Sequence, residues 1–267
     1  MSEIGPTPPE GRIRVERRGA LMLIGIDRPA KLNGFTPQML DQLSRAYQRY
    51  EDDGDARVAV LHAFGPHFSA GLQLDLFEER LRLGRPLPTE GLVDPFQLRP
   101  PFRTKPCVAA MQGICFTLAC ELMFAADIVV AASDCRFAQL EVKRGIMANH
   151  GATLRMVERA GWGDAMLYLL TGDEFGAEAA YRMRLVQEVV DPGRQLERAI
   201  EVAERISAQA PLAVVATLAN ARTMVREGHR AAVAELGPVQ ARLLMTEDAA
   251  EGVRSFRERR AAAFRGR

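Results

Sequence analysis

With 267 residues, 48% of them apolar, the chain can bury one sizeable core. Thirty-five Lys and Arg against thirty-four Asp and Glu leave a formal net charge of +1, so no global field selects nucleic acid or an anionic membrane. No apolar run reaches the roughly 18 to 20 residues of a spanning helix, and the start "MSEIGPTPPE" lacks a secretory signal's basic and apolar regions, which reads as a cytoplasmic protein with no membrane partner.

Residues 1–10, rich in Pro and small polar residues, read as a frayed arm. "IRVERRG" and "ALMLIGID" then form a predicted hairpin. Thr36 followed by Pro37 is an N-cap and first helical residue, opening a helix to about Tyr50 with Met39, Leu40, Leu43 and Tyr47 on one face. "ARVAVLHAF" is a buried strand, and "GPHFSAGLQLDLFEERLRL" passes from a glycine-containing turn into a helical pattern. Residues 84–106, with six prolines including Pro86 and Pro88, read as a long loop, either a lid or binding loop or a disordered insertion. "PCVAAMQG" and "DIVVAAS" are further buried strands flanking the apolar stretch "QGICFTLACELMFAAD"; successive helices, a short strand at "RLVQEVV" and a nearly all-helical segment from 194 to 267 follow. The tally is an α/β core, residues 11–193, with a helical C-terminal region, 194–267. No repeat of 20 to 50 residues recurs by sequence identity.

Cys107, Cys115, Cys120 and Cys135 lie in apolar surroundings without CxxC spacing and read as reduced core thiols. The four histidines follow no metal-ligand pattern, so no metal site is expected. Glu121 stands out in its apolar stretch. An ionised carboxylate is costly to bury without partners, so Glu121 is turned to solvent, paired with a cation, or held for chemistry. Two stretches, "VAVLHAFGPHFSAGLQLD" and "CVAAMQGICFTLACELM", each run from a strand through a turn into a helix start, so two helix N-termini could direct two backbone N–H donors at one oxygen.

The motifs "IDRPAKLNGF", "FSAGLQLDLF", "QGICFTLACELMFAADIVVAA", "FAQLEVKRGIMANHGATLR", "LLTGDEFGAEAAYRMRLVQEVV" and "TEDAAEGVRSFRERRAAAFRGR" occur in the order and spacing of the crotonase superfamily. From about residue 12 to the C-terminus the chain resembles an enoyl-CoA hydratase/isomerase. The resemblance implies an α/β crotonase-like spiral of ββα units, a helical C-terminal region that builds trimers or dimers of trimers, acyl-CoA thioester substrates and no cofactor, coenzyme A being part of the substrate. It also implies an oxyanion hole made by the backbone N–H groups of Leu72 and Leu118, where loss of one donor costs on the order of 10²-fold to 10³-fold in a well-studied hydrolase. Glu121 and Glu141 fall at the two catalytic glutamate positions, with Glu121 activating water and Glu141 protonating the α-carbon. Desolvation and mutual repulsion would raise at least one of these carboxyl pKa values.

The resemblance further suggests that Lys31 and the backbone around Ala70 hold the CoA nucleotide. Basic residues of "FRERRAAAFRGR" either reach its phosphates or form a solvated face. Three departures stand out. Thr117, Leu118 and Ala119 replace three usual glycines, which predicts a narrower or altered pocket. Gln73 replaces the usual Asp, and Arg184 replaces a Gly remote from the chemistry. Without the resemblance Glu141 is bland, since Lys143 or Arg144 could pair with it; His150 reads as a satisfied loop histidine, and Met111, Met123 and Met147 as packing residues. The expected activity is hydration of a trans-2-enoyl-CoA. The alternatives are a 3,2-trans-enoyl-CoA isomerase and, in another class, a catalytically weak acyl-CoA- or RNA-binding scaffold.

Overall fold

The computed structural model describes residues 7–84 and 89–267. The first six residues of the expected arm, and Pro86 and Pro88 of the proline-rich loop, lie outside the described residues. β1 (Arg12–Arg18) and β2 (Leu21–Asp27) form the expected antiparallel hairpin. α1 (Pro37–Asp52) begins as expected, with the Thr36 hydroxyl accepting from Met39 N at 3.3 Å. β3 (Val58–Ala63), α2 (Glu78–Arg82), β4 (Cys107–Met111), β5 (Ile114–Phe116), α3 (Leu118–Ala125), β6 (Ile128–Ala132) and β7 (Arg136–Ala138) follow. Then come α4 (Ala152–Ala160), α5 (Trp162–Thr171), β8 (Phe175–Gly176), α6 (Ala177–Arg182) and β9 (Glu188–Val190). Four helices end the chain: α7 (Gln195–Ser207), α8 (Pro211–Glu227), α9 (His229–Leu244) and α10 (Glu247–Glu258).

Six strands form one sheet in the order β1-β2-β3-β4-β6-β9, parallel from β2 onward. Parallel strands are buried on both faces, and alternate side chains serve opposite faces. Met22, Ile24 and Ile26 accordingly enter the main core against Met39, Leu40 and Leu43 of α1. Leu21, Leu23, Val58, Val60, Val108 and Val130 instead meet Ala199, Val202 and Ala203 of α7. α7 therefore belongs to the layer covering the sheet, and the helices that leave it begin with α8.

The second sheet, β5-β7-β8, positions the site. β4, β5 and α3 form one ββα unit; β6 and β7, followed by a short 3-10 helix, form the next. β5 and β7 run parallel with Phe116 opposite Ala138, and a parallel bridge from Ser69 to Cys115 adds a third segment. Three parallel segments thus end at one edge, where strand C-termini open the usual crevice for ligands.

One expected element is altered. Instead of a continuous helix after "SAG", the chain makes a 3-10 turn at Leu74–Leu76 and then the five-residue α2. Leu72 is held extended first, in a bridge to Phe35. Arg184, in the place of a usual Gly, has φ of 61°, a left-handed conformation that glycine adopts without steric cost. All four cysteines are buried free thiols. Among the described residues no helix is long and apolar enough to cross a membrane.

Candidate active site

A cavity of about 450 Å³ opens at the shared strand edge. Ala70, Leu72, Leu118, Glu121 and Glu141 all line it, so five of the six residues singled out from sequence meet in one place. Apolar walls come from Leu74, Leu81, Leu140, Ile146 and Met147. Lys31 is not part of the lining; it is exposed at the end of the 3-10 turn Pro29–Lys31. That turn is tied to the cavity by Ala70 N, which donates to Leu32 O at 2.9 Å. The Ala70 N–H is therefore engaged within the fold.

Glu121 sits in the first turn of α3 and is 2% exposed. Neither solvent nor an arginine accounts for it. Its Oε1 accepts from the main-chain N–H of His150 at 2.6 Å and of Ala152 at 3.3 Å, while His150 Nδ1 stands 3.6 Å from Oε2. The carboxylate is therefore fixed in orientation by the loop that leads into α4. His150, itself buried, packs tilted by 47° against Phe96 at 4.5 Å between ring centroids and lines the cavity. The sequence marked it only as a satisfied loop histidine, and its contact with Glu121 was not visible there.

Glu141 begins the 3-10 helix Glu141–Arg144, just past β7. Burial pushes its carboxyl up to about 7; its own main-chain N–H lowers it, and the charge of Glu121 raises it further. With its amide nitrogen turned to Glu141, the buried Gln139 donates to both carboxylate oxygens at 2.8 and 3.0 Å. Lys143 does not pair with Glu141; it reaches Asp173 at 3.5 Å. Arg144 lines the cavity without an ion pair among the described residues. Met111 and Met123 are core residues as expected, but Met147 is 67% exposed at the cavity wall, so its packing role is corrected.

The two main-chain donors differ in origin. Leu118 is the first residue of α3, so its N–H is one of the unpaired helix-start donors. Leu72 does not start a helix, which corrects the expectation of two helix N-termini. In its bridge, Phe35 N donates to Gly71 O and Gln73 N donates to Phe35 O, leaving the Leu72 N–H on the opposite side. Neither N–H has a hydrogen-bond partner among the described residues, and both residues line the cavity. Gln73, in the usual Asp position, accepts from Arg28 Nη1 at 2.8 Å and braces the Lys31 loop against this segment.

Thr117 precedes Leu118 with φ of 51° and ψ of −115°, an outlying conformation for a β-branched residue that costs on the order of 1 to 3 kcal/mol. The surrounding ladder holds it: Thr117 N donates to Ala138 O at 2.8 Å, and Glu121 N donates to Thr117 O at 3.2 Å. The substitution of glycines at 117–119 therefore leaves the turn intact and places a threonine side chain in the cavity wall. In the C-terminal basic cluster, Arg260 is paired with Glu251 and Arg267 with Glu247. Those two guanidinium groups serve the fold of the tail.

A family model described as enoyl-CoA hydratase/isomerase matches residues 16–267. The crystal structure of a probable enoyl-CoA hydratase/isomerase from Mycobacterium abscessus superposes with a TM-score of 0.92 at 45% identity, covering 96% of this chain and 98% of that one. Enoyl-CoA hydratase EchA19 of Mycobacterium tuberculosis is 31% identical over 260 residues, 95% of this chain and 96% of that protein. A carnitinyl-CoA dehydratase of Salmonella typhi is 32% identical over 263 residues, 96% of this chain and 98% of the relative. Sequence motifs, the paired ββα units and these matches along nearly the whole chain agree, and the protein belongs to the enoyl-CoA hydratase/isomerase family.

Proposed function

We propose that the protein hydrates a trans-2-enoyl-CoA to a 3-hydroxyacyl-CoA. The observation that carries this reading is the pair of carboxylates on one cavity, Glu121 fixed by main-chain donors and Glu141 raised to about 7 by burial. The thioester oxygen accepts from the Leu72 and Leu118 N–H groups. As a water oxygen bonds to C3, Glu121 takes the proton that leaves the water, and the C2–C3 π pair moves into an enolate whose charge rests on that oxygen. Protonated Glu141 then gives its proton to C2, closing the 3-hydroxyacyl thioester. A dehydratase performs the reverse bond changes with the same groups. Lys31 and the Ala70 carbonyl are assigned to the nucleotide end of CoA, and no separate cofactor is needed for these steps. The exposed side chains of Met245 and Phe256 support assembly through the C-terminal helices, as a trimer or dimer of trimers.

Isomerisation of a 3-enoyl-CoA needs a single proton shuttle and no bound water, so the second carboxylate favours hydration. Crotonyl-CoA mixed with the purified protein is expected to lose its conjugated thioester absorbance as hydration proceeds. Unchanged crotonyl-CoA together with new conjugated absorbance from a 3-enoyl-CoA would replace this reading with the isomerase. Binding of acyl-CoA or RNA with neither conversion would leave only a scaffold.

A further inference from the structure

Thr117 occupies a backbone conformation suited to glycine, yet it carries a hydroxyl at the wall of the cavity. Its Oγ1 lies 2.0 Å from where a Cβ on Gly71 would stand, so it fills the space that Gly71 leaves open. Gly71 has φ of 97° and immediately precedes Leu72, while Thr117 immediately precedes Leu118. The hydroxyl thus lies against Gly71, the residue before Leu72, and is carried by the residue before Leu118, the two lining residues whose N–H groups have no partner among the described residues. Four bonds separate Oγ1 from the Leu118 nitrogen, short enough for both to reach one oxygen. The Thr117 hydroxyl has no hydrogen-bond partner among the described residues, and a hydroxyl can turn its proton to whatever acceptor arrives.

We propose that the Thr117 hydroxyl is a third donor to the thioester oxygen, beside the Leu72 and Leu118 N–H groups. The assignment rests on the acyl-CoA reading of this cavity. A donor placed before the reaction stabilises the charge that builds on oxygen in the enolate, and it costs no reorganisation at that moment. It also accounts for a threonine persisting where the backbone favours glycine, because strain kept at a site by its surroundings is commonly tied to function. Thr117 then belongs among the catalytic residues, through the side chain that replaced a hydrogen atom.

The test separates hydroxyl from shape. Thr117→Val keeps the branched outline without the donor, Thr117→Gly relieves the backbone, and Thr117→Ser returns a hydroxyl. Cinnamoyl-CoA serves as the binding probe, since hydrogen bonds to its thioester oxygen polarise the conjugated system and shift its absorbance to the red. The wild type is expected to show that shift, Thr117→Val and Thr117→Gly to lose part of it, and Thr117→Ser to recover it. In crotonyl-CoA turnover, Thr117→Val should lose kcat by about 10²-fold with KM little changed. Melting temperatures confirm that each variant is folded, with Thr117→Gly no less stable than the wild type. A full shift and full kcat in Thr117→Val and Thr117→Gly overturn the third donor and leave the hydratase reading standing. A wild type without shift or turnover overturns that reading, and the third donor with it.

Discussion

One cavity holds two side chains of the same kind in different ways. Glu121 stands on a buried helix and accepts two main-chain N–H groups from a separate loop. Glu141 stands on a four-residue 3-10 helix, faces one side-chain amide and carries a carboxyl raised to about 7. A carboxylate fixed by backbone donors is an acceptor of defined direction. One raised by burial holds a proton near neutral pH and can release it. In the proposed reaction, the division of labour between proton acceptor and proton donor would follow from the surroundings of two identical residues.

The sharpest way to break that comparison is Glu141→Gln. It removes the releasable proton while keeping size and polarity, so hydration of crotonyl-CoA should fall by about 10²-fold to 10⁴-fold, with acyl-CoA affinity measured by calorimetry nearly unchanged. The pH profile supplies the sign. With Glu141 as the acid of the proposed hydration, kcat is expected to decline as pH rises through about 7. The same shift bears on stability. A folded-state pKa raised from 4.5 to about 7 contributes stability that is whole below about pH 4.5 and is lost as pH rises to about 7. Denaturant titrations should accordingly find Glu141→Gln more favourable, relative to the wild type, at pH 8 than at pH 5. Equal differences at both values would show that the proton is not held there.

Glu121 should answer differently, in stability as well as rate. Glu121→Ala leaves the His150 and Ala152 N–H groups without their acceptor in a buried place, a loss of about 1 to 3 kcal/mol. Glu141→Ala gives up the acceptor of its own main-chain N–H and of the Gln139 amide but removes a carboxylate charged against burial. At pH 8 it should therefore be closer to neutral than Glu121→Ala in the same denaturation experiment. If the two alanine variants prove equally destabilised, the distinction between a carboxylate anchored by backbone and one raised by burial fails.

This contrast also separates what was legible in the sequence from what was not. Glu121 announces itself because a carboxylate interrupts an apolar helix, whereas Glu141 in "EVKR" is bland without the family motifs around it. The long buried strands and the Thr36–Pro37 helix start are readable because a period or a cap extends over many residues. β5 and β7, three residues each, are too short to show a period, yet their parallel register brings both glutamates to one edge. Leu72 was expected at a helix start because "GLQLDLFEER" has helical spacing, but its bridge to Phe35, far away in sequence, keeps that segment extended. The left-handed φ of Thr117 is hidden for a related reason: threonine rarely adopts it, and only the tertiary ladder through Ala138 makes it do so. Gln139 is another case, as nothing local indicates that its amide faces Glu141.

The smallest expected effect tests whether two carboxylates are the whole proton machinery. His150 contacts Glu121 twice, through its main-chain N–H at 2.6 Å and its ring nitrogen at 3.6 Å. His150→Ala keeps the first contact and removes the second together with the tilted ring contact to Phe96. With the shorter bond intact, Glu121 should stay in place, and kcat should fall only about fivefold, the equivalent of one contact worth about 1 kcal/mol. His150→Phe restores the ring without its nitrogens, so recovery of kcat in that variant assigns the loss to packing, and no recovery assigns it to the imidazole. A loss in His150→Ala as large as that in Glu141→Gln would mean that the imidazole shares the proton with Glu121. The anchored group would then be a carboxylate and histidine pair, and its backbone bonds alone would not explain Glu121 as the proposed proton acceptor.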